Sequence, residues 1–101
     1  MSLTLTIQAL SDANRRKILD LLKKGELPVG DINKKLAITG ATLSHHLDVL
    51  KRSDLISSRR EGQQVIYSLN LSVFEEAAEQ LVKFFEIKPT AKSKKTADWR
   101  G

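Results

Sequence analysis

The sequence predicts a mainly α-helical domain with one β-hairpin, in the order α-α-α-α-β-β-α. Apolar residues recur at helical spacing in the first half of the chain and again over residues 72–85. Between these regions, residues 55–60 and 64–69 are rich in residues that favour strands, and Gly62 lies in the short segment that joins them. These patterns place helices on both sides of a hairpin.

One folded domain is expected over residues 1–86, because a chain of 101 residues can bury only one modest core. Residues 87–101 consist mainly of Pro, Thr, Ala, Ser and Lys and predict a basic, disordered tail. This tail has five basic residues and one acidic residue, so it accounts for most of the chain's net charge of +5. Within the domain, residues 34–60 form the basic segment, with six basic and two acidic residues.

The first element alternates apolar and polar residues over 3–10, as a strand would, but it is short and we interpret it as a helix. Ser11 is predicted to cap the next helix, whose apolar face lies within residues 18–22. Two lysines and Gly25 then provide a typical helix end.

A helix-turn-helix is predicted next. Pro28 suits the start of the third helix, because its missing N–H would be unpaired in the first turn anyway. Thr39 is a plausible N-cap for the fourth helix, which follows a short turn over residues 38–40 within the stretch 36–52. The fourth helix has leucines at i, i+4 and i+7, namely Leu43, Leu47 and Leu50. An ordinary helical hairpin remains an alternative, since the motif is common.

The outer face of the fourth helix suits a DNA major groove. Ala41 and Ser44 are small enough for close approach of the helix backbone, and Thr42, Ser44 and His45 offer hydrogen-bonding groups near the helix N-terminus. Asp48 lies on the same face, where it either accepts a hydrogen bond from a cytosine amino group or, as we expect, lies beyond the contact zone. His46 falls near the leucine stripe, so we expect it to pack inside rather than to contact bases.

The hairpin after this helix is interpreted as a wing. Its tip carries groups that can reach phosphates or the minor groove: Arg59, Arg60, Gln63 and Gln64. Arginines at a hairpin tip are often only solvated charges, and that alternative stays open.

The last helix is predicted to begin with a capping box, Ser72 to Glu75, and to carry more apolar residues than one small core can cover. We therefore expect a homodimer formed through the first and last helices. Its predicted interface comprises Leu5, Leu10, Phe74, Ala77, Ala78, Leu81 and Phe85. The alternative is that the last helix folds back onto its own domain.

Three ordered blocks closely resemble ArsR-type bacterial winged-helix repressors: ALSDANRRKIL over 9–19, LSHHLDVL over 43–50 and RREGQ over 59–63. The resemblance covers roughly residues 5–85. It implies a homodimer that presents two recognition helices to a two-fold symmetric operator in double-stranded DNA. By position, the major-groove contacts would be Thr39, Ala41, Thr42, Ser44 and His45, with the wing on the flanking backbone.

The sequence departs from the metal-sensing members of the family. Where those members often carry Cys-Val-Cys, this chain has Pro28-Val29-Gly30, and its last helix offers glutamates without histidine. The adjacent His45 and His46 point about 100° apart on a helix and cannot chelate one ion. We expect no metal site and no cofactor. The chain is then most similar to metal-independent autorepressors of the family, released by a sequestering protein partner or by another signal.

Other classes find little support. The chain has no cysteine, no plausible nucleophile constellation and no glycine-rich phosphate loop, so we do not expect an enzyme. It has no apolar run long enough for membrane insertion and no recognisable signal peptide, so we expect a cytoplasmic protein. Two alternatives stay open: a winged-helix protein-interaction module that does not bind DNA, and a metal-sensing repressor with an unrecognised site.

Overall fold

Five helices and a three-stranded antiparallel sheet make up the fold in a computed structural model, which describes residues 2–85. In chain order, the elements are α1 (Leu3–Leu10), α2 (Ala13–Lys23), β1 (Leu27–Pro28), α3 (Val29–Lys35), α4 (Gly40–Arg52), β2 (Ile56–Glu61), β3 (Gln64–Leu69) and α5 (Leu71–Phe85). The predicted fold class and the predicted order of the helices and the hairpin are confirmed. The predicted tail, and with it the domain boundary at residue 86, lies outside the described residues.

The sheet contains one strand that the sequence did not predict. Strand β1 pairs antiparallel with β3, which places β3 in the centre of the order β1-β3-β2. Pro28, predicted only as the start of a helix, is both the second residue of β1 and the residue preceding α3. Two residues are too few for an alternating pattern to be visible in a sequence.

Three helices begin where side chains accept hydrogen bonds from free backbone amides, and Ser2 does this for α1. Asp12 caps α2 by accepting from the amides of Asn14 at 2.7 Å and Arg15 at 3.1 Å. The prediction that Ser11 caps this helix is wrong by one residue, because Ser11 ends α1 instead. Thr39 caps α4 as predicted, with its hydroxyl accepting from the Thr42 amide at 3.1 Å.

The start of α5 also differs from the prediction. The Phe74 amide donates to the Asn70 carbonyl at 2.8 Å, so the helix begins at Leu71, and Ser72 lies inside its first turn. The predicted capping box is therefore wrong. Asn70 instead anchors the strand-to-helix junction, since its side-chain amide donates to the Asp54 carbonyl at 2.8 Å.

One hydrophobic core joins all five helices to the sheet. The buried apolar residues are Ala9, Ile18, Leu19, Leu22, Ile32, Leu36, Leu43, Leu47, Val49, Leu50, Leu55, Ile56, Ile66 and Ala77. The three leucines predicted for the inner face of α4 are all among them. Burying a leucine side chain contributes about 1.5–3 kcal/mol. The leucine stripe thus fixes which face of α4 points outward.

The wing is a regular hairpin. Strands β2 and β3 pair from Ile56 opposite Leu69 to Glu61 opposite Gln64. Only Gly62 and Gln63 remain in the loop, and Gly62 has a φ of 63°, which glycine adopts without steric cost. Of the helices over residues 2–85, none combines the length and the apolar composition that a membrane crossing requires.

Candidate nucleic-acid interface

Helix α4 presents a continuous polar face outward. Ala41, Thr42, Ser44 and His45 are all exposed, whereas the leucines on the opposite side are buried. These four residues occupy the first two turns of a helix of 13 residues. Free amides and the partial positive charge at a helix N-terminus favour contact with phosphate. The face therefore combines close backbone approach with short hydrogen-bonding groups.

Thr39 is exposed as well, but its hydroxyl is already engaged. It accepts from the Thr42 amide and donates to Thr42 Oγ1 at 3.0 Å. Because a hydroxyl has one proton to donate, the Thr42 hydroxyl proton stays available to an outside acceptor while that of Thr39 does not. The geometry thus gives Thr39 a capping role and leaves Thr42 the more available donor.

Further along the same face, Asp48 is paired with Arg52 at 3.1 Å, and both side chains are well exposed. This i,i+4 pair reduces the repulsion that a lone carboxylate would exert on DNA phosphates. It lies beyond the cluster of small residues at the start of the helix.

The two arginines of the wing have different surroundings. Arg59 is held by Glu26 through two hydrogen bonds and by Glu61 at 3.0 Å, so two carboxylates surround one guanidinium. The hydrogen bonds from Arg59 lower the pKa of the Glu26 carboxyl, and the two glutamates raise the pKa of Arg59. Arg59 is therefore less available to phosphate than the sequence suggested.

Arg60, Gln63 and Gln64 are exposed at the tip of the wing. Among residues 2–85, Arg60 forms no salt bridge, so its full charge is available to a phosphate. The base of the wing is tied to α4, because Lys51 Nζ donates to Ser58 Oγ at 3.1 Å. This hydrogen bond links the orientation of β2 to that of α4.

A buried polar network on the inner side of α4 was not predicted. The Arg15 guanidinium is within hydrogen-bonding distance of His46 Nδ1, at 3.0 Å, and Arg15 and His46 are only 8% and 6% exposed. His46 is interior, as its place beside the leucine stripe predicts. The burial of Arg15 could not be predicted in the same way, since arginines are rarely buried. The sequence indicated only that a buried His46 ring would need some hydrogen-bond partner, without showing which residue provides it.

The residues predicted for the dimer interface are placed differently from one another. Ala77 is 2% exposed in the core of its own chain, and Leu10 and Phe74 are partly buried against that core. The exposed apolar side chains of α1 and α5 are Leu5, Ile7, Leu71, Val82, Phe84 and Phe85, at 38–68%. Ala78 is also exposed, and Leu81 is intermediate. An apolar surface on the first and last helices is therefore present.

Potential metal ligands are sparse in the part of the chain that the structure describes. Over residues 2–85, no group of three or more His, Asp or Glu side chains is arranged to hold an ion. The rings of His45 and His46 have centroids 5.7 Å apart, and His45 is exposed while His46 is buried.

Together, α3 and α4 form a helix-turn-helix, and the β2–β3 hairpin follows it directly, which defines the winged helix-turn-helix class of fold. Residues 12–58 match the family described as "Bacterial regulatory protein, arsR family". The chain is 44% identical over 77 residues to the transcriptional repressor SdpR of Bacillus subtilis, covering 76% of this chain and 86% of that protein. It is 34% identical over 79 residues to the arsenical resistance operon repressor of Staphylococcus aureus, covering 78% of this chain and 76% of that protein.

Solved structures agree with this assignment. HlyU from Vibrio cholerae superposes with a TM-score of 0.66 at 31% identity, covering 81% of this chain and 89% of that one. A possible transcriptional regulator for arsenical resistance shares the fold, with a TM-score of 0.75 at 22% identity. The match covers 82% of this chain and 86% of that one. The chain belongs to the ArsR family of bacterial regulatory proteins.

Proposed function

We propose that the protein is a transcriptional repressor that binds a two-fold symmetric DNA operator as a homodimer, with α4 as the recognition helix. The observation that carries this proposal is the exposed face of small and hydrogen-bonding residues at the N-terminal end of α4. The 44% identical relative is named a transcriptional repressor, which supports the direction of control.

Within this proposal, base edges are contacted by Ala41, Thr42, Ser44 and His45. Thr39 supports them as the helix cap. Arg60, Gln63 and Gln64 contact the flanking backbone, and Arg59 supports the wing through Glu26. This division follows from which side chains are free and which are already paired.

Two copies of the chain would pair through α1 and α5. Both helices carry exposed apolar side chains, Leu5 on α1 and Leu71, Ala78, Val82 and Phe85 on α5. Ala78, Val82 and Phe85 recur at i, i+4 and i+7, so they lie on one face of α5. A surface of this kind favours burial against a second copy. A dimer then places two recognition helices for two half-sites, as operator symmetry requires.

The repressor is further proposed to control its own operon and to act without a bound metal. The sequence contains no cysteine, and its only two histidines are adjacent residues with opposite exposure. Transition metals prefer thiolate and imidazole ligands, and residues 2–85 contain no group of such side chains arranged to hold an ion. Release from the operator would depend on a sequestering protein or another signal.

Selection of bound duplexes from a random DNA pool tests this function. We expect the selected sequences to share an inverted repeat with half-site centres about 10 base pairs apart or a multiple of that spacing. Addition of a chelator should leave binding unchanged. Recovery of no enriched sequence would support the protein-interaction alternative instead, and loss or gain of binding on adding zinc would contradict metal independence.

A further inference from the structure

The basic segment, residues 34–60, contains two acidic residues, Asp48 and Asp54. Asp54 follows α4 in a turn and has a φ of 64°, a conformation that aspartate and asparagine adopt more readily than most residues. Asp48 lies within α4, where aspartate is a poorer helix former than glutamate or lysine. Backbone geometry therefore accounts for Asp54 but not for Asp48.

Asp48 lies on the row of α4 that is proposed to face DNA. It follows Ala41 by seven residues and Ser44 by four, which places all three on one side of the helix. Its side chain is 65% exposed. At about 1.5 Å per residue, Asp48 is about 6 Å beyond Ser44 along the axis, which is less than the Debye length of about 10 Å at 0.1 M salt. Its charge therefore acts on nearby DNA phosphates without having to touch them.

The partner of Asp48 is Arg52, one turn further along the same row. Arg52 Nη2 and Asp48 Oδ2 are 3.1 Å apart, and the Arg52 side chain is 61% exposed. Because both residues belong to one rigid helix, α4 presents the two charges together. The carboxylate offsets the attraction that the guanidinium would otherwise add toward phosphate.

The surroundings of Asp48 place this pair beside the wing. Burial, followed by the Asp48 carboxylate, raises the pKa of Tyr67 on β3. Tyr67 is opposite Ser58 on β2, and the Ser58 hydroxyl accepts a hydrogen bond from Lys51 Nζ at 3.1 Å. The carboxylate therefore lies near the junction of α4 and the wing, the two elements proposed to contact DNA.

We propose that Asp48 limits the sequence-independent attraction of α4 to DNA by neutralising Arg52. This inference rests on the proposed function, and it assigns no base contact to Asp48. Attraction between basic side chains and phosphates is the same for every sequence, so it strengthens binding to unrelated DNA as much as binding to the operator. A paired Arg52 lowers this attraction and leaves base contacts at the start of α4 a larger share of the binding free energy.

Substitution of each aspartate by asparagine tests the proposal. Asp48→Asn and Asp54→Asn remove the same charge from the basic segment, and asparagine also tolerates the backbone conformation of residue 54. Fluorescence anisotropy at several salt concentrations gives the affinity of each full-length protein for a duplex with the selected inverted repeat and for an unrelated duplex. Urea unfolding verifies that both variants are folded.

We expect Asp48→Asn to bind both duplexes about five- to tenfold more tightly near 0.1 M salt, with a slope of log affinity against log salt steeper by about 0.9, because Arg52 then neutralises one more phosphate. Asp54→Asn should change either affinity by less than about twofold, since its charge lies off the α4 row and is screened.

Three results would overturn the inference while leaving the proposed function intact. They are equal gains for the two variants, unchanged binding by Asp48→Asn, and a loss of operator binding by Asp48→Asn that spares the unrelated duplex. The last result would show that Asp48 contacts a base. Absence of any binding by the wild-type protein would overturn both the inference and the proposed function.

The part played by Arg52 is tested by a second substitution. The double variant Asp48→Asn with Arg52→Gln has the same net charge as the wild type, because it lacks both members of the pair. It should therefore bind both duplexes with about the affinity and the salt slope of the wild type. If the double variant kept the gain of Asp48→Asn, Arg52 would not be the cation that Asp48 neutralises, and the inference would be wrong.

Discussion

Arg59 and Glu26 form an ion pair across 33 positions of the sequence, with Nη2 and Oε2 3.2 Å apart. The pair ties strand β2 of the wing to the segment that precedes β1. Because Glu61 also contacts this guanidinium, the charge of Arg59 is balanced within the protein, whereas Arg60 beside it has no such partner within the described residues. Two adjacent arginines therefore have different expected roles.

Alanine substitution of each arginine tests this difference. Arg60→Ala should weaken binding to all DNA sequences alike and reduce the slope of log affinity against log salt by about 1 for each phosphate that is no longer neutralised. Arg59→Ala should change the salt slope less, since its charge is already paired. Affinities measured at several salt concentrations separate the two. A larger change of slope for Arg59→Ala would show that phosphate displaces the glutamates.

His45→Ala tests the role assigned to this residue in contacting bases. Removal of the imidazole should relax sequence preference at one position in each half-site and cost about 1–3 kcal/mol against the preferred operator. Binding to unrelated DNA should change little. Competition with operators altered at single positions provides the measurement, and a uniform loss across all sequences would remove His45 from the recognition surface.

Asp12→Ala tests the cap of α2. The Arg15 amide, followed by the Asn14 amide, lowers the pKa of Asp12 below its ordinary value of 3.8 against the opposing effect of burial. A lowered pKa in the folded state means that the carboxylate stabilises the protein above the ordinary value and ceases to do so as the pH falls through the folded value. Loss of the cap should cost about 0.5–2 kcal/mol near pH 7.

The matched control for this cap is Asp12→Asn, because asparagine also caps helices but carries no charge. It should retain most of the stability near pH 7. Urea unfolding at a series of pH values gives the free energy of unfolding of the wild type and of each variant as a function of pH. The difference between wild type and Asp12→Ala should shrink as the pH falls below 3.8, and a difference that grew instead would contradict the cap.

Val82→Glu tests the proposed dimer surface. Val82 is 66% exposed on α5, so a charge there should leave the isolated chain folded but be strongly unfavourable once buried against a second copy. The control is Gln80→Glu, an exposed position on the opposite side of the same helix. Light scattering should give a monomer for Val82→Glu and a dimer for Gln80→Glu. Equal masses for the two variants would place the interface elsewhere.

Local patterns were sufficient for most of the fold. The leucines of α4 and the residues flanking Gly62 predicted a helix and a hairpin, because each element is specified by neighbours in the sequence. The predicted cap of α2 was misplaced by one residue and that of α5 by two, since several polar residues there can serve as a cap.

The contacts that the sequence did not reveal are long-range. Arg15 meets His46 across 31 positions, and Arg59 meets Glu26 across 33. Nothing in the run Arg15-Arg16-Lys17 distinguishes the buried residue from its exposed neighbours. The same limit applies to Ala77, whose apolar side chain fits either a dimer interface or the core that it occupies.

The salt dependence of binding to the selected operator tests the central claim most directly. If a dimer applies two recognition helices and two wings to DNA, several phosphates are neutralised, and affinity should fall by about a thousandfold or more between about 50 mM and 200 mM salt. The preference for the operator over unrelated DNA should persist across this range. An affinity that stays flat with salt, or that is equal for operator and unrelated duplexes, would contradict sequence-specific DNA binding by α4.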